Sequence, residues 1–188
     1  PRFAIRPYPK EWERSAALRD GTRILVRPVR PEDEPLYGPF FAGVTPDDLR
    51  LRFFAPVKEF SHRFIARLTQ IDYARAMAFV AIEKASGKML GVVRLHADAN
   101  YDSGEYAVLV RSDLKGRGLG YLLMQMIIEY ARAEGLKAIE GQVLSENTAM
   151  LAMCRELGFN IAPDPRDPDT HVVRLATASS GSASPIGF

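Results

Sequence analysis

The sequence predicts an α/β (α+β) protein: a mixed, mostly antiparallel sheet flanked by helices. Three observations carry that prediction. Apolar runs and turn signals follow one another as strand, helices, three strands, helix, strand, helix, two strands. The middle three strands form a meander joined by short turns, whereas the next strand follows a helix, so antiparallel and parallel pairs must share one sheet. At the centre, Val108-Leu109-Val110 runs into Lys115-Gly116-Arg117-Gly118-Leu119-Gly120-Tyr121, a buried strand leading through a glycine-rich turn into an amphipathic helix.

Taken in order, residues 1–20 are dense in proline and charge and read as an extended linker, with a domain over 21–176. Thr22–Val29 alternates as a first strand, and Pro31 with Glu32, Asp33 and Glu34 opens a helix. Thr45 and Ser61 are N-caps of two further short helices rich in arginine and phenylalanine, Arg50, Arg52, Arg63 and Arg67 among them. Core aromatics beneath a solvated arginine face explain that composition, and His62 belongs to the surface. Met77–Glu83 and Met89–Ala97 form a hairpin about Ser86-Gly87-Lys88, with His96 on the polar face of the sheet. Glu105–Arg111 is the strand that feeds the glycine turn. The helix after it carries Leu119, Leu122, Leu123, Met126, Ile127, Tyr130 and Ala131 on one wide stripe and ends at Gly135. Ala138–Leu144 is a strand, Asn147 starts a helix that ends at Gly158, and Phe159–Ile161 starts another strand. A proline-rich loop over 162–169 leads to a last strand, His171–Ala176. The Gly/Ser-rich tail 177–188 is expected to be disordered.

Composition narrows the function classes. A net charge of +2 and the lack of a basic patch with interleaved aromatics argue against nucleic acid as a partner. The single cysteine, Cys154, excludes an internal disulfide and fits a reducing, cytoplasmic compartment. No apolar run reaches membrane-spanning length, so no membrane role is expected. The three histidines show no metal-ligand spacing, and no metal site is expected.

The glycine turn is the chemical centre. Glycine permits positive φ and close backbone approach, and a helix N-terminus presents unpaired N–H groups with a positive dipole end. Together they cradle an anion, best a phosphate or pyrophosphate. Lys115 and Arg117 add charge or are simply solvated. The spacing G-x-G-x-G departs from the dinucleotide pattern G-x-G-x-x-G, and no G-x-x-x-x-G-K-S/T run occurs. Spacing alone therefore leaves the ligand open, and a purely structural turn remains an alternative.

Residues 109–125, LVRSDLKGRGLGYLLMQ, resemble the acetyl-CoA-binding motif of the GNAT superfamily of N-acetyltransferases, with Lys115 where Gln or Arg is usual. Residues 146–159, ENTAMLAMCRELGF, resemble its other hallmark, an Asn-started helix ending in Leu-Gly-Phe, and the element order fits a GNAT fold from about 22 to 176. FAIRPYP, RILVRPVRPEDEP, RFFAPVKEFSH and LTQIDYARAM further resemble the C-terminal acetyltransferase domain of Pat-type bacterial protein lysine acetyltransferases. That resemblance implies an upstream acyl-CoA synthetase-like region of the same polypeptide, which would account for a chain beginning at Pro1. It implies transfer of acetyl from acetyl-CoA to a protein lysine, with AMP-forming acetyl-CoA synthetase as the expected acceptor.

The implied roles follow residue by residue. A lysine amine with a pKa of about 10.4 is almost wholly protonated at neutral pH, so a general base has a clear task. Glu105 matches the position that is often a catalytic glutamate, and half-burial there would suit it to that task. The backbone of Val108, Leu109 and Val110 is expected to hold the pantetheine arm where neighbouring strands splay, with the Val110 N–H polarising the thioester carbonyl. The amides of Lys115, Gly116, Arg117, Gly118, Leu119, Gly120 and Tyr121 would hold the pyrophosphate. Asn147 would contact the CoA arm, cap its helix, or do both. The tyrosine general acid common in the superfamily is missing: the count reaches Cys154, which is expected to pack as a small buried hydrophobe. The acceptor groove is expected around the arginine-rich helices of residues 46–68. Two other acceptor classes stay open: a small-molecule amine, or none at all in a non-catalytic acyl-CoA-sensing regulatory domain.

Overall fold

The computed structural model describes residues 6–57 and 59–178. A single eight-stranded sheet runs in the order β1 (Arg14–Ala17), β2 (Arg23–Pro28), β3 (Ala76–Glu83), β4 (Met89–Ala97), β5 (Ser103–Val110), β6 (Ala138–Leu144), β8 (Asp167–Ala176), β7 (Asn160–Asp164). Every neighbouring pair is antiparallel except β5 and β6. The mixed, mostly antiparallel sheet predicted from the sequence is the observed one.

Helices cover both faces because strand side chains alternate between them. On one face α4 (Leu119–Ala133) and α5 (Thr148–Glu156) bury Val26, Phe79, Val93, Leu95, Tyr106 and Val108. The stripe of α4 is the centre of this core: Leu119, Leu123, Met124, Ile127 and Ala131 are at most 1% exposed. Each of these side chains apart from the Ala131 methyl contributes about 1.5–3 kcal/mol when fully buried. On the other face α1 (Glu34–Ala42), α2 (Pro46–Phe53) and α3 (His62–Thr69) close over Val80, Val92 and Leu109. Thr45 and Ser61 cap α2 and α3 as expected, accepting from the Asp48 and Phe64 amides.

Three segments differ from expectation. Residues 10–17 are not an extended lead-in: Lys10–Trp12 is a 3-10 turn, and β1 pairs with β2 from Arg14↔Val26 to Ala17↔Arg23. The cause is apolar. Trp12 sets its ring 5.4 Å from Tyr130 and 5.9 Å from Phe79, and Leu18 is buried. The proline-rich stretch is a hairpin of β7 and β8, not a loop. Pro163 is tolerated because β7 is an edge strand, and Pro168 lies outside the β6 ladder, which begins at Thr170. At the other end of β8, Thr177 is buried and its hydroxyl donates to the Leu136 carbonyl at 2.6 Å. Residues 179–188 of the expected disordered tail lie outside the described residues.

What positions the site is the divergence of β5 from β6. Their parallel pairing covers only Ser103↔Ala138, Gly104↔Ile139 and Glu105↔Glu140. Beyond that point the strands part. The Tyr106 ring lies across β6 at Gly141, where a Cβ would come within 2.4 Å of the ring. Only glycine leaves room for it. The ring meets Phe159 edge-on at 5.7 Å and its hydroxyl lies 3.3 Å from Cys154 Sγ, so Tyr106 fills the space beneath the opening.

Candidate active site

The opening continues into a cavity of about 430 Å³ that runs along β5 to the glycine turn. Every site residue expected from the sequence lines it except Arg117. The Arg111 amide donates to the Leu90 carbonyl, which fixes the alternation of the β4–β5 ladder. By that alternation the backbone groups of Tyr106, Val108 and Val110 face the opening. Those of Leu109 are spent on β4, so Leu109 lines the cavity without free backbone groups of its own. The expectation that all three of Val108, Leu109 and Val110 present backbone to a ligand is corrected on that ground.

Glu105 is the last β5 residue paired with β6, and so stands at the apex of the opening. It is exposed rather than half-buried, because it points to the face covered only by the rim of α2 and α3. Directly across the ladder stands His96. Burial, then the neighbouring Arg94 charge, hold the imidazole below its ordinary pKa while Glu105 pulls the other way, so His96 is neutral at neutral pH. Arg52 of α2 lines the cavity on the same side.

At the other end, the turn is shaped by two left-handed glycines, Gly116 at φ 81° and Gly118 at φ 87°. Gly120 is already helical, and a Cβ there would make only ordinary contacts at 3.8 Å with Met153 and Val110. The amides of Gly116, Gly118, Leu119, Gly120 and Tyr121 donate to no protein acceptor among the described residues. They converge on the positive end of α4, the arrangement that holds phosphate oxygens.

The charges around this turn differ from expectation. Lys115 is paired with Asp48 of α2. Burial alone would raise the Asp48 carboxyl. Its bonds from Lys115 and from the Ser112 hydroxyl, 2.5 Å away, outweigh that and hold it below the usual carboxylate range. Lys115 therefore clamps α2 to the turn instead of standing free. Arg117 points away from the cavity to Asp20, 2.7 Å distant. The free cation at the cradle is Arg19, just after β1: it is exposed, lines the cavity and has no carboxylate partner among the described residues.

Asn147 does cap α5, accepting from the Met150 amide at 3.2 Å, and it also lines the cavity. Cys154 is fully buried, and burial pushes its thiol up in pKa, so it packs as expected and is no nucleophile. An ion pair of 2.6 Å from Arg50 to Glu146 ties the α2 rim to the α5 rim. Among the described residues no group of side chains could hold a metal ion, and no helix is long and apolar enough to cross a membrane. Arg19, Arg52, His96 and Tyr106 were not singled out as site residues from the sequence. Each owes its place to strand pairing or packing with residues distant in the chain, for which no local pattern exists.

A splayed parallel pair, a strand edge with free amides and an anion cradle at its far end make a channel suited to an extended ligand with a phosphate tail. The model of the acetyltransferase (GNAT) family matches residues 47–159, so the chain belongs to that family and is an acetyl-CoA-dependent acetyltransferase of the GNAT type. It is 34% identical over 162 residues to an acetyltransferase of Pseudomonas aeruginosa, covering 85% of this chain and 87% of that protein. It is 31% identical over 145 residues to the acetyltransferase Pat of Mycolicibacterium smegmatis, covering 75% of this chain and 42% of that protein. Among solved structures, the GNAT domain of S. lividans PAT superposes with a TM-score of 0.83 at 26% identity, over 90% of this chain and 99% of that one.

Proposed function

We propose that this domain transfers the acetyl group of acetyl-CoA to the ε-amino group of a protein lysine, by direct attack with Glu105 as general base. The observation that carries the proposal is Glu105 standing exposed at the apex where β5 and β6 part, on the strand whose free edge leads to the phosphate cradle. Acetyl-CoA supplies the acetyl group as a thioester. Glu105 takes one proton of the incoming ammonium, directly or through one water, and releases it to bulk solvent; the freed amine attacks the thioester carbon, the C–S bond breaks, and CoA leaves as a thiolate that takes the second amine proton by way of water. Of the β5 amides that face the opening, those of Tyr106 and Val108 stand nearest Glu105 and are the donors for the carbonyl oxygen; Val110 lies about 17 Å from Glu105 along the strand, so its N–H serves the pantetheine arm instead of the expected thioester carbonyl. The amides of Gly116 and of Gly118–Tyr121 hold the pyrophosphate, with Arg19 as the cation beside them. Likeness to the Pat proteins supports a protein lysine over a small amine, and acetyl-CoA synthetase-type enzymes as acceptors. It also supports an upstream partner region in the same polypeptide.

The assignment of the free cation is testable directly. Arg19→Gln is expected to weaken acetyl-CoA binding about tenfold, the worth of one charge-assisted bond, whereas Arg117→Gln changes it by less than about two-fold. Titration calorimetry measures both. Equal losses would return Arg117 to the cradle.

The acceptor class is tested by incubating the protein with acetyl-CoA and acetyl-CoA synthetase-type acceptors, then mapping acetyl-lysine by mass spectrometry. Acetylation at defined lysines is expected. Turnover on free amines with none on any protein would replace the protein acceptor by a small one.

A further inference from the structure

The side of the cavity next to Glu105 is cationic. Arg52 is half-buried, lines the cavity, and rests its guanidinium 4.6 Å from the Phe53 ring centroid. Behind it, Arg94 of β4 is 8% exposed and donates to the Leu68 carbonyl at 2.9 Å and toward the Tyr37 hydroxyl at 3.5 Å. Among the described residues, no carboxylate oxygen lies within ion-pair distance of either guanidinium. The titratable groups facing them are His96, which is neutral, Tyr37, whose phenol burial keeps protonated, and Glu105. Two other acids line the cavity: Asp48, engaged by Lys115 and Ser112, and the exposed Glu156 at the end of α5.

One buried and one half-buried positive charge with no carboxylate within ion-pair distance are incompletely compensated, and a bound anion relieves them. Burial and the Arg94 charge lower Arg52 to about 10, with Glu105 acting the other way, which still leaves Arg52 fully charged at neutral pH. A planar guanidinium suits a carboxylate, which it can grip through two parallel bonds. The wall also holds an apolar element: Phe54, at left-handed φ 63°, is 45% exposed and lines the cavity beside Leu51, a surface for the methylene stem of a lysine.

We propose that Arg52, with Arg94 behind it, selects an acceptor that carries a carboxylate beside its reactive amine. Resting on the protein-lysine acceptor proposed above, this is a lysine flanked by aspartate or glutamate. The same chemistry is offered by a free α-amino acid, and the test separates the two sources.

The experiment measures kcat and KM on two lysine peptides that differ only in flanking residues, glutamate in one and alanine in the other. It adds free glutamate and an amine of similar length lacking the carboxylate. For the wild-type protein, the glutamate-flanked peptide is expected to show a KM about tenfold lower. Arg52→Gln collapses that ratio to about one, and Arg52→Lys keeps part of it because charge remains without the bidentate fork. Arg67→Gln, an exposed arginine of α3 outside the cavity, keeps the full ratio. Each protein is judged by the ratio of its own two substrates, so a uniform loss of activity does not mask the result. Equal KM values in the wild type, or a ratio that survives Arg52→Gln, would overturn the proposal. So would a ratio lost equally in Arg67→Gln, since that marks general charge steering. Arg52-dependent turnover of free glutamate with no peptide acetylated would uphold the carboxylate preference and remove the protein-lysine acceptor.

Discussion

Glu105→Gln is expected to lower turnover by about 10²–10⁴-fold, while acetyl-CoA affinity changes by less than about two-fold. The two effects separate because of where the side chain stands. In the proposed arrangement the cradle and the backbone of β5 bind the donor. Glu105 sits beyond them, exposed at the last paired position of β5 and β6. Glutamine keeps the shape and the β4 pairing with His96 but cannot accept a proton. Raising the pH should recover part of the lost rate, since more of the lysine is then free amine without help, its ordinary pKa being about 10.4. His96 does not substitute as the base in a simple way: although neutral, it does not line the cavity. Steady-state kinetics and calorimetry on the same preparation test this. Unchanged turnover would remove Glu105 from the mechanism, and loss of binding in step with turnover would make its role structural.

The second large effect belongs to the turn. Gly118 is the N-cap of α4 at φ 87°, a conformation that costs a β-branched residue about 1–2 kcal/mol. A Cβ there would also lie 3.4 Å from Arg19 Nε, against the cation proposed to meet the phosphate. Gly118→Val is therefore expected to weaken acetyl-CoA binding by about ten- to a hundredfold, since both the amide cradle and Arg19 move. Its Tm should fall by about 2–8 °C. Gly120→Ala is the internal comparison for stability. The backbone there is helical and the contacts ordinary, so Tm should hold or rise slightly. Calorimetry and thermal unfolding read both quantities. Normal affinity in Gly118→Val would dissociate this turn from the donor.

The parts of this site that could be read from the sequence are those built from neighbours in the chain. The strand, the left-handed glycines and the first turn of α4 fall within 108–121, and the cap of α5 falls on Asn147 with its partner amide three residues on. The mixed, mostly antiparallel character of the sheet followed from local signals of the same kind. What escaped was set by tertiary contacts. Arg19 reaches the cradle only because a four-residue strand, too short to show a period, pairs with β2. Lys115 and Arg117 lie in one turn and look alike, yet Asp48 and Asp20 take their charges in different directions. Arg52 reads as one of several solvated arginines until α2 sets it in the wall of the cavity that Glu105 also lines. The proline-rich hairpin of β7 and β8 was hidden because turn residues also occur on edge strands, where a missing N–H costs nothing.

A crystal structure of the complex with CoA decides whether the divergence of β5 from β6 holds the thioester beside Glu105. The expected position puts its sulfur in the opening just beyond the Glu105↔Glu140 pair, its pantetheine arm along the Tyr106, Val108 and Val110 backbone, and its pyrophosphate on the amides of Gly116 and of Gly118–Tyr121. A sulfur bound outside that opening, or a pyrophosphate held away from the α4 N-terminus, would contradict it.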